Sequence, residues 1–499
     1  MNNLNELIEL NIKRAINFVD TNNKSETYGS ADRLYWSWRL KDFSNGSFQS
    51  LTYFFSELIN NSKFNNIYVE KNVDSIIDKA FEASLNGAFK IQAKNGSFSE
   101  SFPGENSFCV TATVLNDVVS AINNHKNEKE LLENYYTRLL ASYNFLINNI
   151  ENHALIGNHL MTALSAMIKF NTTFNENKNH NLENILKKLR TIWNEEGWFS
   201  EYSGSDIGYL TLTLDYLIDI PDDVFEDKSL WQEKILLYLL NFFHKDGSIG
   251  NIYGSRGSSL IYPYGIVKAG GVQLFEELSK SINLYKIPRP ENVDDTNFVP
   301  LLNSFIKFLS INFENTDRKA VIFPKYEQKY LKVYKDAGFV IVVNKDKQTI
   351  IDTNNSGSIH KFTEKSREIE SSPLIVKDKK ILSAQTINRQ IDLKSENHVI
   401  IKIHSSFSKI NTSPISVFQS VLIRLFTASI GKNKYLLSLS KKYIVNKFFN
   451  SNKPIGNLNR NIEIQDQEII LNESFDIPQG FSLERSKFHN TKMASQNYF

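Results

Sequence analysis

The residues with the greatest chemical capacity fall in a few short stretches. They are the pair Asn158-His159, the loop Glu201-Tyr202-Ser-Gly-Ser-Asp206-Ile-Gly-Tyr209, and the stretch 245–265, KDGSIGNIYGSRGSSLIYPYG. The last holds Tyr253, Arg256, Tyr262 and Tyr264 among five glycines. A fourth loop, Glu100-Ser-Phe-Pro-Gly-Glu105-Asn106, adds two carboxylates. A planar guanidinium suits bidentate binding of a carboxylate, and the glycines flanking Arg256 let backbone approach a ligand. Asn158 and Arg256 together could neutralise a sugar carboxylate. A neutral His159, or a phenolate from Tyr209 or Tyr253, could then take the proton α to it. A tyrosine could protonate the leaving glycosidic oxygen, completing an elimination across a uronic acid. Glu100, Glu105, Glu201, Tyr202, Asp206, Tyr262 and Tyr264 are the candidate sugar-binding groups around that centre.

Other chemistry stays open. Epimerisation abstracts the same proton and returns it from the other face. Hydrolysis would pair Glu100 or Glu105 with Glu201 or Asp206 as acid and base. A glycan-binding protein would use the tyrosines only to stack on sugars. Each residue also has a plain structural role: Asp206 as N-cap of a helix from Ile207, Glu105 as a cap before Ser107, Arg256 as a partner of Glu201 or Asp246. The nine histidines are scattered and Cys109 is the single cysteine, so neither a metal, a cofactor nor a disulfide is expected.

These loops sit in a repeat. Asn45-Gly46-Ser47-Phe48, Asn95-Gly96-Ser97-Phe98, Glu196-Gly197-Trp198-Phe199 and Asp246-Gly247-Ser248-Ile249 recur at spacings of 50, 101 and 50. Runs with helical periodicity lie between them, such as 134–149 and 230–243. One turn and two helices per period predicts stacked helical hairpins closed into an α/α toroid, with the turns at one end. The omitted slot, near 146–157, carries Gly157-Asn158-His159 where the turn should be. A break in a repeat is a candidate site. YLTLTLDYL (209–217) alternates like a strand, but Ile207, Leu210, Leu214 and Leu217 share a helix face and the repeat favours helix.

The character changes after IPRPENVDD (287–295). The expected domains are a toroid over 1–290, a linker with one helix over 291–319, and an antiparallel β-sandwich over 320–499. The fold class is therefore α+β, multidomain. A helical insertion at about 413–450 interrupts the sandwich. From Asn397 to Ile462 there are ten Lys and Arg and no acid. Such a basic amphipathic segment either docks on an anionic membrane or glycan, or covers a sheet edge.

A hydrophobic fraction of 41% and a net charge of +2 suit a globular protein and give no case for nucleic acid. The start reads as an amphipathic helix rather than a signal peptide, and no apolar run is long enough to span a bilayer. The expectation is a cytoplasmic protein, peripheral to the inner membrane if the insertion docks there.

The Asn158-His159 pair, the GWFSEYSGSDIGY loop and the YGSRG loop together resemble bacterial heparinase II/III-like proteins, polysaccharide lyases with a toroid followed by a β-sandwich. The resemblance implies a carbon–oxygen lyase without a cofactor, acting on an acidic polysaccharide or lipid-linked glycan in capsule or lipopolysaccharide metabolism. It maps Asn, His, Tyr and Arg at the cleft onto Asn158, His159, Tyr209 or Tyr253, and Arg256.

Overall fold

The computed structural model describes residues 2–64, 74–150, 156–175, 182–202, 204–250, 252–313, 329–378, 380–409, 416–429, 436 and 454–485. The 50-residue period is a helical hairpin. In chain order the hairpins comprise α1 (Asn2–Phe18), α2 (Leu51–Asn60), α3 (Asp74–Ile91), α4 (Phe108–Asn123), α5 (Glu128–Asn148) and α6 (Gly157–Thr173). They continue with α7 (Glu183–Ile192), α8 (Ile207–Leu217), α9 (Lys228–Leu240), α10 (Pro263–Gly270), α11 (Val272–Asn283) and α12 (Asp295–Ser310). The even-numbered helices pack side by side in chain order, and α12 returns to α2, closing a ring. Each odd-numbered helix lies outside, against the inner helix before it, with α1 against α12. Side-chain patterning produces the two layers. α4 is apolar on most faces and almost wholly buried, whereas α5 buries only one stripe.

The recurring turn has a common chemistry. Asn45, Asn95, Asn194 and Asp246 each accept the backbone N–H two residues on, at 2.9, 3.2, 2.9 and 2.9 Å. The hydroxyls of Ser47, Ser97 and Ser248 donate to the same oxygens. Such Asx turns reverse the chain between an outer helix and the next inner one. Gly197 shows why glycine belongs there: its φ is +103°, and a Cβ would stand 2.4 Å from the Lys234 carbonyl oxygen. Because every such turn precedes an inner helix, the inner N-termini gather at one end, where their dipoles favour negative charge. The ambiguous 209–217 segment lies in helix α8.

The boundary expected at 290 moves. Helix α12 is the sixth stave of the inner ring, not part of a linker. Nor is 287–295 a linker: Arg14 donates to the carbonyls of Pro290 (3.1 Å) and Val293 (2.9 Å) and pairs with Asp295 at 2.8 Å. Proline and charge there build a corner tied to α1, and composition alone does not distinguish a corner from a linker.

Beyond the toroid, an antiparallel meander runs β1 (Tyr330–Tyr334), β2 (Phe339–Val343), β3 (Gln348–Asp352), β4 (Ser358–Phe362) and β5 (Arg367–Glu370). A second sheet holds β6 (Leu374–Lys377), β7 (Lys380–Ser395), β8 (His398–Lys409), β9 (Ile455–Gln465), β10 (Glu468–Asp476) and β11 (Ser482–Glu484), in the order β10-β9-β8-β7-β6-β11. Phe339, Ile341, Val343, Ile350 and Phe362 belong to the toroid's core. On the opposite face, Val340, Val342, Ile351 and Ile359 meet Val399, Ile401, Ile403, Ile462 and Ile464 of the second sheet. The first sheet is thus covered on both faces, which explains the unbroken apolar run of β2. In the predicted insertion, one helix is described, α13 (Val417–Ala428), and most of 430–453 lies outside the described residues. Among the described residues no helix is long and apolar enough to cross a membrane.

Candidate functional site

The repeat's altered slot and the following loop meet at the N-terminal end of the inner ring. Ile156 and Glu201 form an isolated antiparallel bridge, and the Gly157 N–H donates to the Ser200 carbonyl at 3.1 Å. The approach is so close that a Cβ on Gly157 would lie 2.6 Å from that of Phe199. This brings Glu201 onto the start of α6. Its two carboxylate oxygens accept the Asn158 backbone N–H (2.7 Å) and side-chain amide (2.9 Å). Glu201 is buried, and the loss of water pushes its pKa up to about 7. The two Asn158 hydrogen bonds and the neighbouring His159 oppose that rise.

Asp206 joins the next two loops. One carboxylate oxygen caps α8 by accepting the Tyr209 N–H at 3.0 Å, as the sequence suggests. The other accepts the backbone N–H groups of Arg256 (3.2 Å) and Ser258 (3.1 Å). Burial raises its pKa to about 6, against those bonds and the Arg256 charge. The Ser255 N–H donates to the Ser205 carbonyl at 2.9 Å, pinning the YGSRG loop. The Arg256 guanidinium carbon then lies 4.0 Å from the Tyr202 ring centroid and 5.7 Å from that of Tyr209. Tyr202 adopts φ +53° and remains 48% exposed, so this face is open to solvent. Asn158, His159, Glu201, Tyr202, Asp206, Tyr209 and Arg256 therefore belong to neighbouring loops at this end of the ring, its mouth, with Asn158, Glu201 and Asp206 buried and Tyr202 exposed.

The remaining candidates lie elsewhere. Tyr253 is completely buried in the seam between toroid and first sheet, its ring against Phe242, Phe339 and His360. Its hydroxyl meets His244 Nε2 at 3.0 Å, and burial holds the phenol well above its ordinary pKa. A phenolate base is not what this environment favours. Gly254, at φ +88°, turns the chain so that Arg256 faces the mouth while Tyr253 faces the seam. Tyr262 is buried at the start of α10. Tyr264 donates to Asp219 at 2.6 Å inside the ring. Glu105 accepts the backbone N–H groups of Glu100 (3.0 Å) and Ser101 (2.7 Å), shaping its own loop, while Ser107 caps α4.

Sequence reading missed a buried ionic group toward the other end of the ring. Lys307 donates to Asp219 at 2.9 Å, Asn303 to Asp117 at 3.0 Å, Lys169 to Ser120 at 2.6 Å, and the Gly265 N–H to Asp215 at 2.6 Å. Burial, then the nearby Lys307, lowers Lys169 to about 8, while burial raises Asp215 to about 7. Its sequence signal was single charges on otherwise apolar faces, as in AMIKF and SFIKFLS. Lys169 and Lys307 lie toward the C-terminal ends of their helices, which suits cations. Among the described residues, no group of His, Cys, Asp and Glu could hold a metal ion.

No protein-family model matches the chain, and no curated protein matches it in sequence. Solved structures do resemble it. A heparinase III gene product aligns over 80% of this chain and 70% of its own at 10% identity, with a TM-score of 0.38. The chondroitin AC lyase of Streptomyces coelicolor A3, solved with chondroitin sulphate, aligns over 82% and 67% at 8% identity, with a TM-score of 0.47.

Proposed function

We propose that the mouth of the toroid eliminates across a uronate residue of an acidic glycan. The observation that carries this reading is the Arg256 guanidinium set against Tyr202 and Tyr209, on the loop whose Glu201 holds Asn158 and feels the neighbouring His159. On this reading, Arg256 holds the sugar carboxylate together with the second N–H of the Asn158 amide, whose first donates to Glu201. His159 takes the C5 proton, and the electron pair passes toward the carboxylate, where the guanidinium and the inner helix N-termini stabilise the growing charge. The C4–O bond then breaks, and Tyr209 or Tyr202 protonates the departing oxygen, leaving an unsaturated uronate. Glu201 positions Asn158 through both of its oxygens. Hydrolysis is less favoured because Glu201 and Asp206 already spend their oxygens on Asn158, Tyr209, Arg256 and Ser258.

The test is a screen of uronate-containing polysaccharides, read by the ultraviolet absorbance of the unsaturated product. His159→Ala should lower the rate by roughly 10²–10⁴-fold with the fold intact, the usual contribution of a proton-transfer group. Reducing ends released without that absorbance would show hydrolysis. A fully active, folded His159→Ala would remove His159 from the chemistry.

A further inference from the structure

Most of the described side chains of helix α13 are exposed. Val417 is 83%, Phe418 70% and Leu425 61% exposed, and Val421 and Leu422 are about half exposed. A helix covering a sheet edge would bury such residues, so among the described residues that role does not account for them. Arg424 ties α13 to a second apolar segment. It pairs with Asp42 at 3.1 Å and stands 6.0 Å from the Phe43 ring. The segment before Asp42 carries Leu34, Trp38 (64% exposed) and Leu40 (73%). The two segments lie nearly 400 residues apart in sequence, yet among the described residues they hold eight of the twenty large apolar side chains that are exposed. Soluble monomers rarely leave patches of this kind uncovered.

We propose that the 33–43 segment and α13 form one face that docks on an anionic phospholipid surface. Side-chain chemistry and charge select this occupant. Leu, Val and Phe gain by entering acyl chains but offer nothing to a sugar hydroxyl or sulfate, and Trp38 is the residue type that anchors at the bilayer interface. The surrounding sequence from Asn397 to Ile462 has no acid, and Lys432, Lys434, Lys441, Lys442, Lys447 and Lys453 follow α13 in the chain. Arg33 and Arg39 add cations beside Trp38, while Lys41 and Arg424 are balanced by Asp32 and Asp42. The 33–43 segment leads directly into the Asn45 turn, so the face borders the mouth end of the toroid.

The full chain should sediment with phosphatidylglycerol–phosphatidylcholine vesicles and not with phosphatidylcholine alone, and added salt should weaken the binding. The triple variant Trp38→Ser, Phe418→Ser, Leu425→Ser should bind on the order of 100-fold more weakly, since each residue removes a substantial apolar transfer gain. All three side chains are mostly exposed, so circular dichroism should be unchanged; Trp38→Ser alone, expected to weaken binding less, is the second variant. Three results would overturn the proposal: no vesicle binding by the wild type, equal binding to neutral vesicles, or binding that both variants retain. A concentration-dependent dimer that the triple variant abolishes, without vesicle binding, would assign the face to a second copy instead.

Discussion

Replacing Glu201 by Gln should flatten the pH dependence of stability. The Glu201 carboxyl moves from 4.5 to about 7 because burial penalises its charged form. Between those pH values the folded chain holds a proton that the unfolded chain has released. Stability is therefore greatest below the unfolded pKa and falls as pH rises through the folded one. At about 1.4 kcal/mol per pH unit, the fall attributable to Glu201 is about 3 kcal/mol across the span. Asp206 and Asp215, raised to about 6 and about 7, act with the same sign, so the wild-type curve is steeper still. The difference between wild type and Glu201→Gln isolates the one group. Gln keeps one acceptor for Asn158 but turns an amide nitrogen toward the other Asn158 donor, a constant cost of about 1 kcal/mol that leaves the slope untouched. All five tryptophans lie in the toroid, so urea unfolding followed by tryptophan fluorescence reports that domain. Measured from pH 4.5 to above pH 7, the wild-type curve should start about 1 kcal/mol above that of the variant, cross it, and end about 2 kcal/mol below it. Parallel curves would show that Glu201 is ionised throughout, and the account of this end of α6 would fail.

Arg256→Lys should lose elimination almost as completely as Arg256→Ala, by about 100-fold or more, because an ammonium lacks the planar fork. The backbone bond from residue 256 to Asp206 survives both changes, so melting should shift little; a fully active Arg256→Ala would remove Arg256 from the chemistry. Tyr253→Phe should cost about 1–2 kcal/mol by depriving buried His244 of its 3.0 Å partner, with product formation unchanged. A specific loss of turnover in a stable Tyr253→Phe would restore it to the site. Gly197→Ala should destabilise the toroid by about 1–3 kcal/mol through its φ of +103° and the Lys234 contact, seen as a lower urea midpoint.

The sequence by itself determined the repeat, although the third turn is closed by Asn194, two residues before the Glu196 that the repeat singles out. An Asn or Asp two residues before a Ser or Glu N–H is a local hydrogen bond, and local bonds are written in spacing. It also separated a helical part from a strand-rich part, since helical periodicity and two-residue alternation differ along the chain. The Asp206 cap was legible for the same reason: donor and acceptor are three residues apart. Tertiary structure decided what each loop residue faces. Tyr253 and Arg256 are three residues apart in one motif, yet Gly254 turns one into the seam and the other over Tyr202. The membership of α12 in the ring depends on contact with α2, about 250 residues away in sequence. The shift of Glu201 arises from burial against α6, which only the closed ring creates. Spacing encodes interactions within a turn; burial and charge between loops depend on which segments the fold brings together.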